Sequence, residues 1–184
     1  MNRAFTFLAV TFLTTLAAAQ EPPPPPKPLP EHKILADDAG TWEATIKTYM
    51  GGADSEPAMS KGMEVNEVMT GGMWVVSRFD GKFGDIKFEG RGQFGFDPVK
   101  KKYVGTWIDS MSTILSVLEG EYDDKTKTMT YVGDGYDPDR KAKFTQKMVT
   151  VRKDKMYKTF TLSMQYEGEK TETKFMEISY TRRK

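Results

Sequence analysis

The 184-residue sequence contains no cysteine and only one histidine, His32. Without cysteine there is no disulfide and no thiol nucleophile, so stability must come from a hydrophobic core. His32 precedes the predicted strands, on a short helical segment where we expect it to face solvent. A Ser-His-Asp arrangement would have to use this one residue, and no strand carries a histidine for a haem iron. The sequence therefore predicts no catalytic residues and no cofactor.

Long apolar runs are also missing, apart from one near the N-terminus. Arg3 supplies a positive charge, residues 4–16 form a short apolar stretch, and residues 17–19 are alanines. This order is typical of a secretory signal peptide, and the stretch is shorter than the roughly 20 residues that span a bilayer. That length disfavours the alternative, an uncleaved anchor. We predict a signal peptide over residues 1–19 and a periplasmic or secreted protein.

The chain lacks an excess of charge of either sign. It has 27 Lys and Arg against 26 Asp and Glu, and removing residues 1–19 takes away Arg3 and no acidic residue, which leaves no net charge. A neutral domain with interspersed charges argues against binding nucleic acid and against attraction to a membrane surface. We expect no nucleic-acid partner and no membrane insertion after signal cleavage. The sequence does not indicate an oligomeric state.

Proline is concentrated in one segment. Seven of the ten prolines fall between Glu21 and Pro30. Such a run favours polyproline II and is excluded from the interior of helices and sheets. We interpret residues 20–30 as a stiff spacer that precedes a single folded domain, residues 31–184.

The folded part begins with a helical segment and continues as strands. Residues 30–39 start with proline and end before Gly40, which predicts one or two helical turns. Period-two alternation follows, with Trp42, Ala44 and Ile46 on one face of the first strand.

Two irregularities interrupt this alternation. Met63 and Val65 are two residues apart and should share one face of the second strand, whereas Val68 would fall on the other face. This change predicts a β-bulge in the second strand. Gly90 and Gly92 share one face of a later strand, where they predict the sharp bend of a barrel strand.

About ten predicted strands follow one another, with no segment between them long enough for a crossover helix. Pairing should therefore be antiparallel and sequential. Closure of such a sheet would remove its exposed edges. The sequence predicts an all-β fold, a single antiparallel up-and-down barrel of eight to ten strands with a short N-terminal helix. A β-sandwich is the alternative.

Three residues are predicted to close one end of this barrel. Gly40 and Trp42 form a Gly-x-Trp pattern at the start of the first strand. On the last strand Met176 and Ile178 should point inward, so Arg182 on the same face should also do so. A guanidinium over the indole would cover the closed end through a cation–π contact. The alternative is that Arg182 belongs to a frayed basic tail.

Several short motifs occur in an order that resembles a bacterial family. They are Gly40-Thr41-Trp42, Gly71-Gly72-Met73-Trp74, Gly95-Phe96-Asp97 before Tyr103 and Trp107-x-Asp109, and Ser179-Tyr180-Thr181-Arg182. That family is exported, carries the label "domain of unknown function" and is assigned to the calycin (lipocalin-like) superfamily. The resemblance covers roughly residues 30 to 183. It implies a lipocalin-like β-barrel and no established activity.

One strand carries the residues best suited to contact a ligand. Tyr103, Trp107 and Asp109 share a face, and an inward Asp109 would need a hydrogen bond or a charged partner such as Arg78. A mostly apolar space with a few polar groups is typical of a small-ligand site. These four residues are our candidate ligand-binding residues. The alternatives stay open that Trp107 and Asp109 lie on the outer face, or that they lock the core as a structural pair.

Metal sites are not favoured, and we predict no metal ligands. The loop at residues 134–139 has three aspartates, which suits calcium but equally suits a tight turn. The twelve methionines are scattered through the strands, which favours adaptable core packing over a copper site.

Three functions remain. The leading one is a non-enzymatic, extracytoplasmic protein that binds a small, largely apolar ligand in the barrel. The second is a structural or protein-interaction module whose interior is filled by Met, Phe and Tyr. The third is a hydrolase or isomerase that uses Asp109 with a neighbouring tyrosine or arginine. A cavity in the barrel would indicate the binding protein, and a filled interior would indicate the structural module. A perturbed Asp109 in an open cleft would indicate the enzyme.

The signal-peptide prediction has a direct test. Cleavage after Ala19 should leave Gln20-Glu21-Pro22 at the N-terminus of the exported protein, since signal peptidase cleaves after small residues. N-terminal sequencing or intact mass spectrometry of protein from its host would show this. Exported protein that retains Met1 would contradict it.

Overall fold

The computed structural model describes residues 24–49, 55–83 and 85–184. The predicted signal peptide and the first part of the predicted spacer lie outside the described residues. Residues 24–29 have no regular secondary structure and lead directly into the helix.

The described chain forms one helix and ten strands. The helix α1 spans Pro30–Ala36. The strands are β1 (Gly40–Thr48), β2 (Ala58–Val68), β3 (Trp74–Phe83), β4 (Ile86–Asp97), β5 (Lys102–Asp109), β6 (Ser116–Asp123), β7 (Thr128–Asp137), β8 (Ala142–Arg152), β9 (Tyr157–Tyr166) and β10 (Thr173–Arg182).

The strands close into one barrel. Each pairs antiparallel with its neighbours in the sequence, and β1 pairs with β10. This confirms the predicted all-β, up-and-down barrel with a short helix, and it excludes the sandwich. The helix α1 packs against β3 and β4 and covers the end where β1 begins, which we call the closed end. The opposite end, where β1 finishes, is the mouth. No helix in the described part of the chain is long and apolar enough to span a membrane.

The inward face of β2 is polar, which the sequence reasoning did not foresee. Glu64 pairs with the buried Trp42, and Asn66 lies on the same inner face, whereas Met63 is 37 % exposed. The pairing of β2 stays in register with β1 to Asn66 and with β3 to Val68, so the predicted bulge there is wrong. Because side chains alternate along a strand, the register with β1 turns the polar residues inward.

Trp42 lies at the centre of the closed end and is fully buried. Its register partner Arg182 places the guanidinium carbon 4.3 Å from the ring centroid. Arg182 also donates hydrogen bonds of 2.7 and 2.8 Å to the carbonyl oxygens of Ala39 and Asp37. The chain can pass beneath this side chain because Gly40 adopts a φ of +129°, which strongly favours glycine.

Two hydrophobic clusters make up the core. The first surrounds the indole and contains Trp42, Ala44, Ile46, Phe79, Ile178 and Tyr180. The second joins the barrel to two side chains of α1 and contains Tyr103, Leu118, Met129 and Tyr131, with Ile34 and Leu35 packed against them. The helix therefore acts as part of the core of the closed end.

His32 is buried, so the expectation that it faces solvent is wrong. It is 5 % exposed, its Nδ1 accepts a hydrogen bond of 2.9 Å from the Leu29 backbone N–H, and its ring meets Phe96 edge-on. The reason is that α1 lies against the barrel. His32 thus satisfies a free N–H group at the start of the helix, which is a structural role.

The contact between Trp42 and Arg182 can be tested by unfolding. Trp42→Ala should lower the free energy of unfolding by about 3–5 kcal/mol, as a large-to-small change in a packed core. Arg182→Ala should cost less, and the two losses should be coupled by more than about 0.5 kcal/mol because the side chains touch. Urea unfolding of both variants and the double variant measures this. Strictly additive losses would contradict the contact.

Candidate ligand site in the barrel interior

A cavity of about 510 Å³ lies inside the barrel. Asp38 and Lys158 line it at the closed end, and Trp107 and Asp109 line it near the mouth, so it extends along the barrel. Between these ends the wall is mostly apolar and includes Ile46, Val75, Phe79, Phe94, Leu162 and Ile178. The interior is therefore not filled by its own side chains.

Trp107 occupies a place where the neighbouring strand has no side chains. Gly92 is its direct partner on β4, and Gly90 lies two residues away on the same face. A Cβ atom at Gly90 would lie 2.1 Å from the indole, and one at Gly92 would lie 2.8 Å from it. The two glycines, interpreted from sequence as a bend, therefore make room for the indole. In this way the ring becomes part of the cavity wall.

Asp109 ends β5 on the same face as Trp107. Its Oδ2 accepts a hydrogen bond of 3.3 Å from Trp107 Nε1–H, and its Oδ1 accepts one of 2.9 Å from the Met111 backbone N–H. The carboxylate thus ties the indole to the loop that follows β5. Among the described residues no tyrosine or arginine donates to Asp109.

Arg78 does not pair with Asp109. Its neighbours Ser77 and Phe79 are buried on the inner face of β3, so alternation places Arg78 outside. There it is about half exposed and forms a 2.9 Å ion pair with Glu67. Because Arg78 lies on the outer face, it is neither part of a ligand site in the barrel interior nor the charged partner of Asp109.

Tyr103 is also separated from the other candidates. It shares the inner face of β5 with Trp107 but lies at the closed end, where it is 4 % exposed. Its hydroxyl donates a long hydrogen bond of 3.4 Å to the carbonyl oxygen of Glu31 in α1. The structure therefore brings Trp107 and Asp109 together at the mouth and leaves Tyr103 in the core beneath them.

A buried ion cluster forms the bottom of the cavity. Lys158 is 4 % exposed, and its Nζ lies 2.6 Å from Asp38 Oδ2 and 2.7 Å from Glu64 Oε1. Arg152 donates to Asp38 at 2.8 Å, and the Tyr180 hydroxyl donates to Glu64 at 3.0 Å. We call these five residues the floor cluster. The two negative charges of its carboxylates balance the two positive charges of Lys158 and Arg152. Each charge also has a hydrogen-bonded partner, which is the condition for burying charges.

The charges of the floor cluster support one another. Burial alone would lower the pKa of Lys158, but Glu64 and Asp38 outweigh burial and hold that pKa above its ordinary value. Burial raises the pKa of Asp38, while the charge of Lys158 acts in the opposite direction. Burial also raises the pKa of Tyr180 well above its ordinary value, and Glu64 adds to this effect. Lys158 is therefore a protonated ion and not a free amine nucleophile.

Sequence reasoning missed the floor cluster because it looked for charged groups mainly in loops. The usable signal was the alternation of Lys158, Phe160 and Leu162 on β9, which puts the lysine on the apolar inner face. Glu64 was harder to find, since the apolar Met63 beside it suggested the opposite face.

The acidic segment at residues 134–139, expected to be a loop, is the end of β7 up to Asp137 followed by the turn to β8. Asp137 Oδ1 accepts hydrogen bonds of 3.0 Å from the backbone N–H groups of Asp139 and Arg140, and its Oδ2 accepts one of 3.0 Å from the Tyr166 hydroxyl. Within the described residues no group of three or more His, Cys, Asp or Glu side chains is placed to hold a metal ion. The carboxylate oxygens of Asp137 serve the turn between β7 and β8.

The sequence as a whole matches one family. The family described as "Protein of unknown function (DUF1579)" covers residues 27–182 of this chain. The chain belongs to this family. The match runs from just before α1 to the end of β10, so it includes the whole barrel. No curated protein sequence matches the chain.

The fold has a counterpart among solved structures. The S-type phycobiliprotein lyase CPES from Guillardia theta is similar to this chain, with a TM-score of 0.56 and 9 % sequence identity. The similarity covers 83 % of this chain and 92 % of the lyase chain. At this identity the comparison supports the barrel fold and nothing about chemistry.

The buried ionisable groups predict a loss of stability in alkali. The pKa values of Tyr131, Tyr180 and Lys158 are all raised, chiefly by burial for the tyrosines and by the carboxylates for the lysine. The folded state therefore keeps protons that the unfolded chain releases. The contribution of these groups to the free energy of unfolding is fully present below about pH 10. Above that pH the free energy of unfolding falls, by up to about 1.4 kcal/mol per pH unit for each group.

Urea unfolding between about pH 8 and about pH 11 tests this slope. Tyr131→Phe removes one of the groups and should make the decline shallower. Tyr157→Phe, at a tyrosine that is 50 % exposed, is the matched control. An unchanged slope in Tyr131→Phe would show that this hydroxyl is not held protonated by the fold.

Proposed function

We propose that this protein is a non-enzymatic, extracytoplasmic binding protein that holds a small, largely apolar ligand inside its barrel. The observation that carries the proposal is the cavity of about 510 Å³ with mostly apolar walls. This volume lies within the range of sites for small ligands, about 300–1,000 Å³, and polar groups are few and localised, as in such sites.

The cavity favours ligand binding over a structural module with a filled interior. In such a module the Met, Phe and Tyr side chains would occupy the space, because protein cores pack nearly as densely as organic crystals. Here Trp107 is instead held against the wall over Gly90 and Gly92, which leaves the centre of the barrel open. The position of the ring gives the ligand an aromatic surface to contact.

The mouth is the entrance in this proposal, since α1 and the floor cluster occupy the closed end. Asp109 has the role of positioning Trp107 there, through the hydrogen bond between its carboxylate and the indole N–H. Each carboxylate oxygen keeps a second lone pair, so Asp109 is also able to accept a hydrogen bond from a ligand.

Localisation outside the cytoplasm is part of the proposal and is supported by the sequence of residues 1–19. The lyase from Guillardia theta is named for its action on phycobiliproteins. That action is not transferred to this chain, because only the barrel is shared.

Two variants of one strand provide the test. Ser116 lines the cavity beside Trp107, whereas Val117, the next residue of β6, is 60 % exposed on the outer face. Ser116→Phe should fill the entrance and reduce binding of the neutral apolar dye N-phenylnaphthylamine by at least about tenfold, and Val117→Phe should leave it unchanged. Fluorescence titration measures both affinities.

Native mass spectrometry of protein purified from its host gives an independent result. A co-purified small molecule that is lost from Ser116→Phe would support the proposal. Absence of dye binding by the wild type, or equal binding by Ser116→Phe and the wild type, would count against a ligand site in the barrel.

A further inference from the structure

An aromatic pair lies across one side of the mouth. Phe83 ends β3 and Phe175 lies near the start of β10, and both line the cavity. Their ring centroids are 5.9 Å apart and the rings are nearly parallel, at 19°, while Phe83 also meets Phe88 at 6.4 Å. In the barrel β1 and β2 lie between β10 and β3. The two side chains therefore meet inside the barrel, across the inner face of these two strands.

A β-bulge turns Phe175 into the cavity. Lys174 pairs with Ser163, and Met176 pairs with Leu162. Phe175 is therefore an extra residue without a register partner on β9. Consecutive side chains of a regular strand point to opposite faces, yet Phe175 and Met176 both line the cavity. Bulges re-aim side chains in this way and are frequent beside functional sites.

The bulge is fixed by contacts with the end of β1. The Tyr49 backbone N–H donates a hydrogen bond of 2.9 Å to the carbonyl oxygen of Phe175. The Tyr49 hydroxyl donates one of 2.6 Å to Glu177, and Lys174 forms a 2.9 Å ion pair with the same carboxylate. These contacts lie on both sides of Phe175 in the sequence. They hold the bulge, and with it the inward ring, in place.

Exposure along the rim shows which side of the mouth is covered. Thr48 ends β1 at the mouth, yet it is only 4 % exposed. Met111 and Ser112, in the loop after β5, line the cavity and are exposed. In the closed barrel β5 lies across from β10. The opening into the cavity is therefore bounded by the aromatic pair on one side and by this loop on the other.

We infer that Phe83 and Phe175 are specificity-determining residues of the cavity, because their stacked rings set the width of the entrance and select apolar ligands by width. This inference rests on the proposed binding function. A slender ligand passes between the pair and the loop after β5, whereas a wider one passes only when the stack opens. Such a step lies on the path both into and out of the cavity, so it changes the rates of binding and release more than the affinity.

Stopped-flow fluorescence with two neutral apolar dyes tests this inference. N-phenylnaphthylamine is slender, and Nile red has a wider fused-ring system. Phe175→Ala should raise the association and dissociation rates of Nile red together, each by at least about fivefold, because the entrance is widened. The rates of N-phenylnaphthylamine should rise by less. The dissociation constants should change by less than about threefold, since both rates rise.

Further variants separate the stack from other effects. Phe83→Ala removes the other ring from a strand without a bulge and should give the same acceleration. Phe144→Ala is the matched control, because Phe144 also lines the cavity but its ring meets Tyr166 on the adjacent strand, at 5.8 Å. This control should leave the association rates unchanged. Phe175→Leu keeps an apolar side chain at the bulge and replaces Phe175→Ala if that variant does not fold.

The outcomes are distinguishable. Faster dissociation with unchanged association would make the two rings ordinary wall contacts and would overturn the inference, because lost contacts act mainly on release. Unchanged rates for both dyes, or equal acceleration by Phe144→Ala, would also overturn it while the binding function stands. Failure of the wild type to bind either dye would remove the proposed function and this inference together.

Discussion

The ion cluster of Asp38, Lys158 and Glu64 is the constraint on which the closed end depends. Asp38 lies between α1 and β1, Glu64 on β2 and Lys158 on β9, so three distant parts of the chain meet at one lysine. Arg152 adds β8 to this set. Buried charges tolerate little displacement, because loss of one partner leaves the other unpaired at a cost of about 3–5 kcal/mol. The cluster therefore fixes how the helix is seated on the barrel.

A closed bottom and an open centre have different physical causes. The bottom is filled by Trp42 and by cations that lie against its ring, Lys158 at 4.4 Å and Arg182 at 4.3 Å. The centre stays open because the glycines of β4 let Trp107 lie at the wall. A ten-stranded barrel is wide enough that its inner side chains do not all meet in the middle, in line with the growth of barrel diameter with strand number.

The architecture could be predicted from the sequence, and the polar interior could not. Short turns and period-two alternation are local properties, so the barrel and its helix were accessible to sequence reasoning. Asp109 with Trp107 was found because both lie on one strand. The floor cluster joins residues far apart in the chain, and Arg78 was misplaced because the facing of β3 depends on its neighbours. The unpaired state of the Tyr131 hydroxyl is a property of its surroundings, which no sequence pattern records.

The pairing of β1 with β10 has a consequence for how the protein is made. The first and last strands form the seam, so the barrel cannot close until the final strand is available. Until then both edges of a nine-stranded sheet are exposed and open to pairing with other chains. Non-local closure of this kind slows folding, because a long stretch of chain must be ordered before the seam forms. The interior space is consequently the last feature of the molecule to come into existence.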